Sequence, residues 1–111
     1  MNRLRMTSAA TALCRGLLDR AQASSNRILL SDWVTIDWQS LTFIGERHRA
    51  GFVVTGPDAA KLASDWTSGL EEAEFDLGKA GFVAEIGLVG QPTLREDGAI
   101  QVEIEALTIA D

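Results

Sequence analysis

From Ile100 to Ala106 every second residue is aliphatic (Ile100, Val102, Ile104, Ala106), and Gln101, Glu103 and Glu105 stand between them. Alternation with a period of two describes a strand with one face in a core and the other in water. Sheets of that kind are antiparallel and covered on one side only, so the remainder of the chain has to supply the cover. The run Phe82, Ala84, Ile86, Leu88 has the same period, with Val83, Glu85, Gly87 and Val89 between. A polar connection containing Pro92 and Arg95-Glu96-Asp97-Gly98 separates the two runs. This predicts a hairpin of strands over 82–89 and 99–109.

Two segments carry the other period. Met6, Ala10, Leu13, Leu17 and Ala21 recur at three-to-four-residue spacing, widened by Ala9, Cys14 and Leu18, which predicts a helix over 6–24. Ser24-Ser25-Asn26 ends it, because these side chains compete for their own backbone. Gly56-Pro57-Asp58 opens a second helix over 57–73, with Ala59, Leu62, Ala63, Trp66, Leu70 and Ala73 on one face. Proline needs no amide partner in a first turn, and Asp58 complements the positive helix end.

Between the helices, Val34, Ile36 and Trp38 alternate with Thr35 and Asp37, and the parity changes near Gln39-Ser40 before Leu41 and Phe43. Such a change marks a bulge, bend or break. These residues predict strands over 33–46 and 49–55, with the polar stretch Gly45 to Gly51 as their connection. The order α-β-β-α-β-β then describes a single α+β domain over 1–111, a two-layer sandwich. An antiparallel sheet of about four strands carries two helices on one face.

Charge narrows the function. Residues 1–30 carry +4 and residues 31–111 carry −10, giving a net −6. A body this acidic repels phosphate backbones, so nucleic acid is not an expected partner of the globular part. The arginines Arg3, Arg5, Arg15 and Arg20, interleaved with Ser, Thr and Ala, have the composition of a mitochondrial presequence. The pattern runs on without a break, however, and a first helix lying against acidic surface accounts for it. No stretch approaches the roughly 20 uncharged apolar residues of a membrane span. The single cysteine, Cys14, excludes an intramolecular disulfide and a thiolate zinc site, which fits a reducing, cytoplasmic setting.

Three groups of residues are candidate sites. Glu46, Arg47, His48 and Arg49 form the densest reactive cluster, and His48 is the only histidine. With Trp33 or Trp38 as an aromatic wall they describe a small-molecule-binding protein or a simple acid–base enzyme. The competing reading of the cluster is a solvated hairpin turn. Glu85, Glu103 and Glu105 share a strand face without the Asp-rich loop of a cation site, so no metal is expected. No phosphate loop, dinucleotide fingerprint or nucleophile motif is present, and no cofactor is implied. The face away from the helices mixes Ile44, Val53, Val83 and Val89 with carboxylates. It points to a non-catalytic interaction or assembly domain that homodimerises through that face or through its first helix.

Overall fold

A computed structural model describes residues 6–111; Arg3 and Arg5 of the basic start lie outside the described residues. Helix α1 (Ser8–Asp19) leads through a 3-10 segment, Gln22–Arg27, into strand β1 (Ile28–Gln39). Strand β2 (Ile44–Val54), helix α2 (Ala59–Thr67), strands β3 (Phe82–Leu88) and β4 (Thr93–Leu94), and strand β5 (Ile100–Ile109) follow. All pairings are antiparallel in the order β1-β2-β5-β3, and the short β4 extends the β3 side by pairing with β5. The α+β sandwich read from the sequence is the observed class.

Both helices bury their apolar faces in one cluster with the inner face of the sheet. Leu13 and Leu17 of α1, Trp66 of α2, and Phe52, Val54 and Val102 of the sheet meet there. Each such fully buried side chain stabilises the fold by about 1.5–3 kcal/mol. Phe52 and Trp66 pack edge to face with ring centroids 5.1 Å apart.

The helices are shorter than their periodicity suggests, for identifiable reasons. Thr7 caps α1 by accepting from the Ala10 amide, and the helix gives way after Asp19 to tighter turns. In place of a helix to residue 73, α2 ends before Gly69, whose left-handed φ of 70° stops it. Leu70 still reaches the core from a 3-10 turn. Asp58 is not in the first helical turn. It stands before the helix with φ 54° and makes no side-chain cap.

The helix ends complete one another. The Trp66 indole donates to the Leu17 carbonyl at 2.8 Å, filling one of the last acceptors of α1. In return the Arg20 guanidinium donates to the Trp66 carbonyl at 2.9 Å and the Ser68 carbonyl at 3.0 Å, beyond the end of α2. Arg27 likewise donates to the Thr55 carbonyl at 2.9 Å and to Pro57. Arg20 and Arg27 therefore meet carbonyls of their own fold, where the sequence suggests acidic side chains.

Two corrections to the sheet decide what each face displays. The β1–β2 turn is at Ser40–Phe43, closed by Ser40 N–H donating to the Phe43 carbonyl, while Gly45 to Gly51 lies inside β2. Of the charges that resemble a turn, Arg47 and Arg49 belong to the outer half of an alternating strand and Glu46 to the inner half. In addition, a register shift between Leu30 and Asp32 reverses the parity of β1. Val34 and Ile36, expected in the core, are 56% and 58% exposed, whereas Trp33 is 7% exposed. A second shift between Val83 and Glu85 turns Val83 onto the core and leaves Phe82 outside.

Candidate functional site

The inner face of β2 holds the histidine. His48 is opposite Thr35 on β1 and Ala106 on β5, and it is 3% exposed. Its Nδ1 lies 3.0 Å from Thr35 Oγ1 and 3.3 Å from Trp33 Nε1, and its Nε2 lies 2.9 Å from Thr108 Oγ1. An indole nitrogen only donates, so Nδ1 accepts and the imidazole proton sits on Nε2, donating to Thr108. The Thr108 hydroxyl in turn donates to the Glu46 carbonyl at 3.5 Å. The Glu46 carboxylate is 3.7 Å from Nε2 and accepts from Thr7, the cap of α1, at 2.7 Å.

Burial pushes the His48 pKa below the ordinary histidine value, and the nearby Glu46 carboxylate opposes part of that shift. Protonation would place a second N–H at Nδ1, where the Thr35 hydroxyl at 3.0 Å would have to turn from donor to acceptor. The arrangement holds a neutral imidazole as a link between strands β1, β2 and β5. Trp33 packs edge-on against it, with ring centroids 5.7 Å apart at 65°.

The other cluster members go elsewhere. Alternation along β2 places Arg47 and Arg49 on the outer face, and Trp38 is on that face too, opposite Gly45. The structure thus joins His48 with Trp33 and Glu46, and separates all three from Arg47, Arg49 and Trp38. Arg49 pairs with Glu103 at 2.8 Å; Arg47 makes no ion pair among the described residues. The two hydroxyls that flank His48, those of Thr35 and Thr108, carry no signal in the sequence. Those threonines are 13 and 60 residues from it, and no local pattern connects them.

The outer face has three zones. Its apolar zone is β1, where Leu29, Val34 and Ile36 are exposed beside the partly exposed Trp38. Arg47 and Arg49 of β2 form a basic strip, and Glu103 and Glu105 of β5 with Glu85 of β3 form an acidic one. An open cleft of about 290 Å³ runs between Val34, Ile36, Arg47, Arg49 and Glu105, with His48 and Ala106 also in its lining. Of the residues expected on this face, Val53 is there. Ile44 has the parity of Glu46 and sits at the sheet end beside Ser8 and Ala9 of α1. Val83 is packed on the core, and Val89 lies past β3, bonded through its amide to the Glu103 carbonyl.

No cluster of three or more metal-ligating side chains occurs among the described residues, and no helix among them is long and apolar enough to cross a membrane. No family model and no curated protein matches the chain. Its fold is similar to that of a chain in a solved structure titled "Virion of native gene transfer agent (GTA) particle". The TM-score is 0.65 at 13% identity, over 95% of this chain and 100% of the other.

Proposed function

We propose that this chain is a non-catalytic structural subunit of a virion-like particle, associating with copies of itself through the open side of its sheet. The observation that carries this reading is the exposed aliphatic row of β1, Leu29, Val34 and Ile36, on a strand at the sheet edge. A core-quality row left in water on an edge strand is the kind of surface that protein contacts cover. The likeness to a chain from a gene transfer agent virion supports a place in such an assembly. The open sheet side is favoured over the first helix, because Arg20 and Trp66 already bind α1 to the chain's own core.

Sedimentation velocity over a wide concentration range tests the reading. The wild-type chain is expected to associate beyond the monomer. Ile36→Arg is expected to weaken association at least about tenfold, roughly 1.4 kcal/mol, while leaving the fold intact. A chain that stays monomeric at every concentration would overturn it.

A further inference from the structure

The free edge of β1 carries a more specific arrangement than exposure alone. Arg27 and Ser40 bond toward β2 at the two ends of the strand, through Thr55 N–H to the Arg27 carbonyl and Ser40 N–H to the Phe43 carbonyl. In an antiparallel pair, successive residues point their amide and carbonyl groups to opposite sides. With the register from Val34↔Arg49 to Gln39↔Ile44, this alternation turns the backbone groups of Trp33, Thr35, Asp37 and Gln39 away from β2, toward the edge where no strand is paired among the described residues. The regular stretch runs seven residues, Trp33 to Gln39, between the register shift after Leu30 and the turn at Ser40. It holds no lysine and no proline, and the one charge on it is Asp37 on the inner face.

We infer that this stretch pairs antiparallel with the same stretch of a second copy, about a two-fold axis at Ile36, joining two sheets into one. The inference rests on the assembly reading above and names the contact. Only a centre at Ile36 overlaps all seven residues, and the sequence is self-complementary about it. On the outer face Val34 meets Trp38 of the second copy, Ile36 meets Ile36, and Trp38 meets Val34, an unbroken apolar row. On the inner face Thr35 meets Asp37, so the two copies of Asp37 are kept apart. A centre at Asp37 would set those carboxylates against each other, which is destabilising. The outward backbone groups fall into register, Trp33 with Gln39 and Thr35 with Asp37, giving about eight inter-chain hydrogen bonds. Both helix layers then lie on the same side of the joined sheet.

The pairing makes a positional prediction. Ile36 would face itself as a non-hydrogen-bonded pair with Cα atoms about 4.5 Å apart, a separation a disulfide spans. Under mild oxidation Ile36→Cys is expected to form a covalent dimer, with a yield about tenfold above Val34→Cys alone. A mixture of Val34→Cys with Trp38→Cys should cross-link, although neither does so by itself. The wild type is the control, since Cys14 is buried. Circular dichroism of each variant checks that the fold is intact. If the wild type associates but Ile36→Cys does not cross-link, the edge pairing is wrong and the assembly reading survives. Equal cross-linking of Val34→Cys with itself would overturn the register. A monomeric wild type with no cross-linked Ile36→Cys removes both.

Discussion

Trp33 Nε1 lies 3.3 Å from His48 Nδ1 across two neighbouring strands, and because an indole nitrogen only donates, the contact assigns the imidazole proton to Nε2. Nε2–H then donates to Thr108, and a second proton on Nδ1 would require the Thr35 hydroxyl to turn from donor to acceptor.

The stability of the fold should therefore depend on pH through His48. Its pKa is lowered in the folded chain, chiefly by burial. Below about pH 6.5 the unfolded chain takes up a proton that the folded chain resists, so stability falls with pH until the depressed folded value is reached, then levels off. The slope in that window approaches about 1.4 kcal/mol per pH unit. Urea unfolding of wild type and His48→Gln from about pH 7 to about pH 5 checks this. The stability advantage of the wild type should shrink on acidification; a gap that stays constant would contradict it.

Arg20 is expected to stabilise the fold through the carbonyls at the C-terminal end of α2. Arg20→Ala leaves the Trp66 and Ser68 carbonyls without their charged donor and should cost about 1–2 kcal/mol. Arg20→Lys should recover less than half, because an ammonium cannot reproduce the planar fork that reaches both acceptors. Urea midpoints at unchanged slope measure the difference, and equal stability of the alanine and lysine variants would refute the geometric part.

Gly45 is the site where β2 and β5 tolerate no side chain. A Cβ there would lie 2.0 Å from the Thr108 carbonyl oxygen, a backbone atom that cannot swing aside. Gly45→Ala should cost about 3 kcal/mol, the upper end of overpacking penalties. Gly98→Ala meets no neighbouring atom and faces only its φ of 87°, so about 1 kcal/mol is expected. Thermal or urea unfolding of the pair decides it; similar losses would mean that the sheet yields at Gly45.

The sequence shows β5 and both helix faces well, because each signal is local. Ile100, Val102, Ile104 and Ala106 are inward as their spacing predicts, and so are Leu13, Leu17 and Trp66. The β1–β2 turn was misplaced because Ser40-Leu41-Thr42-Phe43 contains no glycine, proline or asparagine, whereas Glu46 to Arg49 has the polarity of a turn. The inward face of β1 was misread because Val34, Ile36 and Trp38 form as good an apolar row as Trp33 and Thr35 form a mixed one. What favours Trp33 and Thr35 is the buried imidazole across the strand, which needs an N–H and a hydroxyl beside it. As for the candidate site, its charged members were expected in a connection but lie within β2, where alternation sends His48 and the arginines to opposite faces.

Residue order alone determined the element types, their sequence along the chain and the one-sided antiparallel sheet, because helix and strand periods are written in neighbouring residues. Tertiary structure decided which face of β1 is buried, where the strand turns back, and the inward histidine. Those outcomes depend on strand register, and one extra residue near Ser31 exchanges the two faces at an energy set by partners dozens of positions away. The aliphatic row that was expected to close the core is for that reason the row left open for a partner.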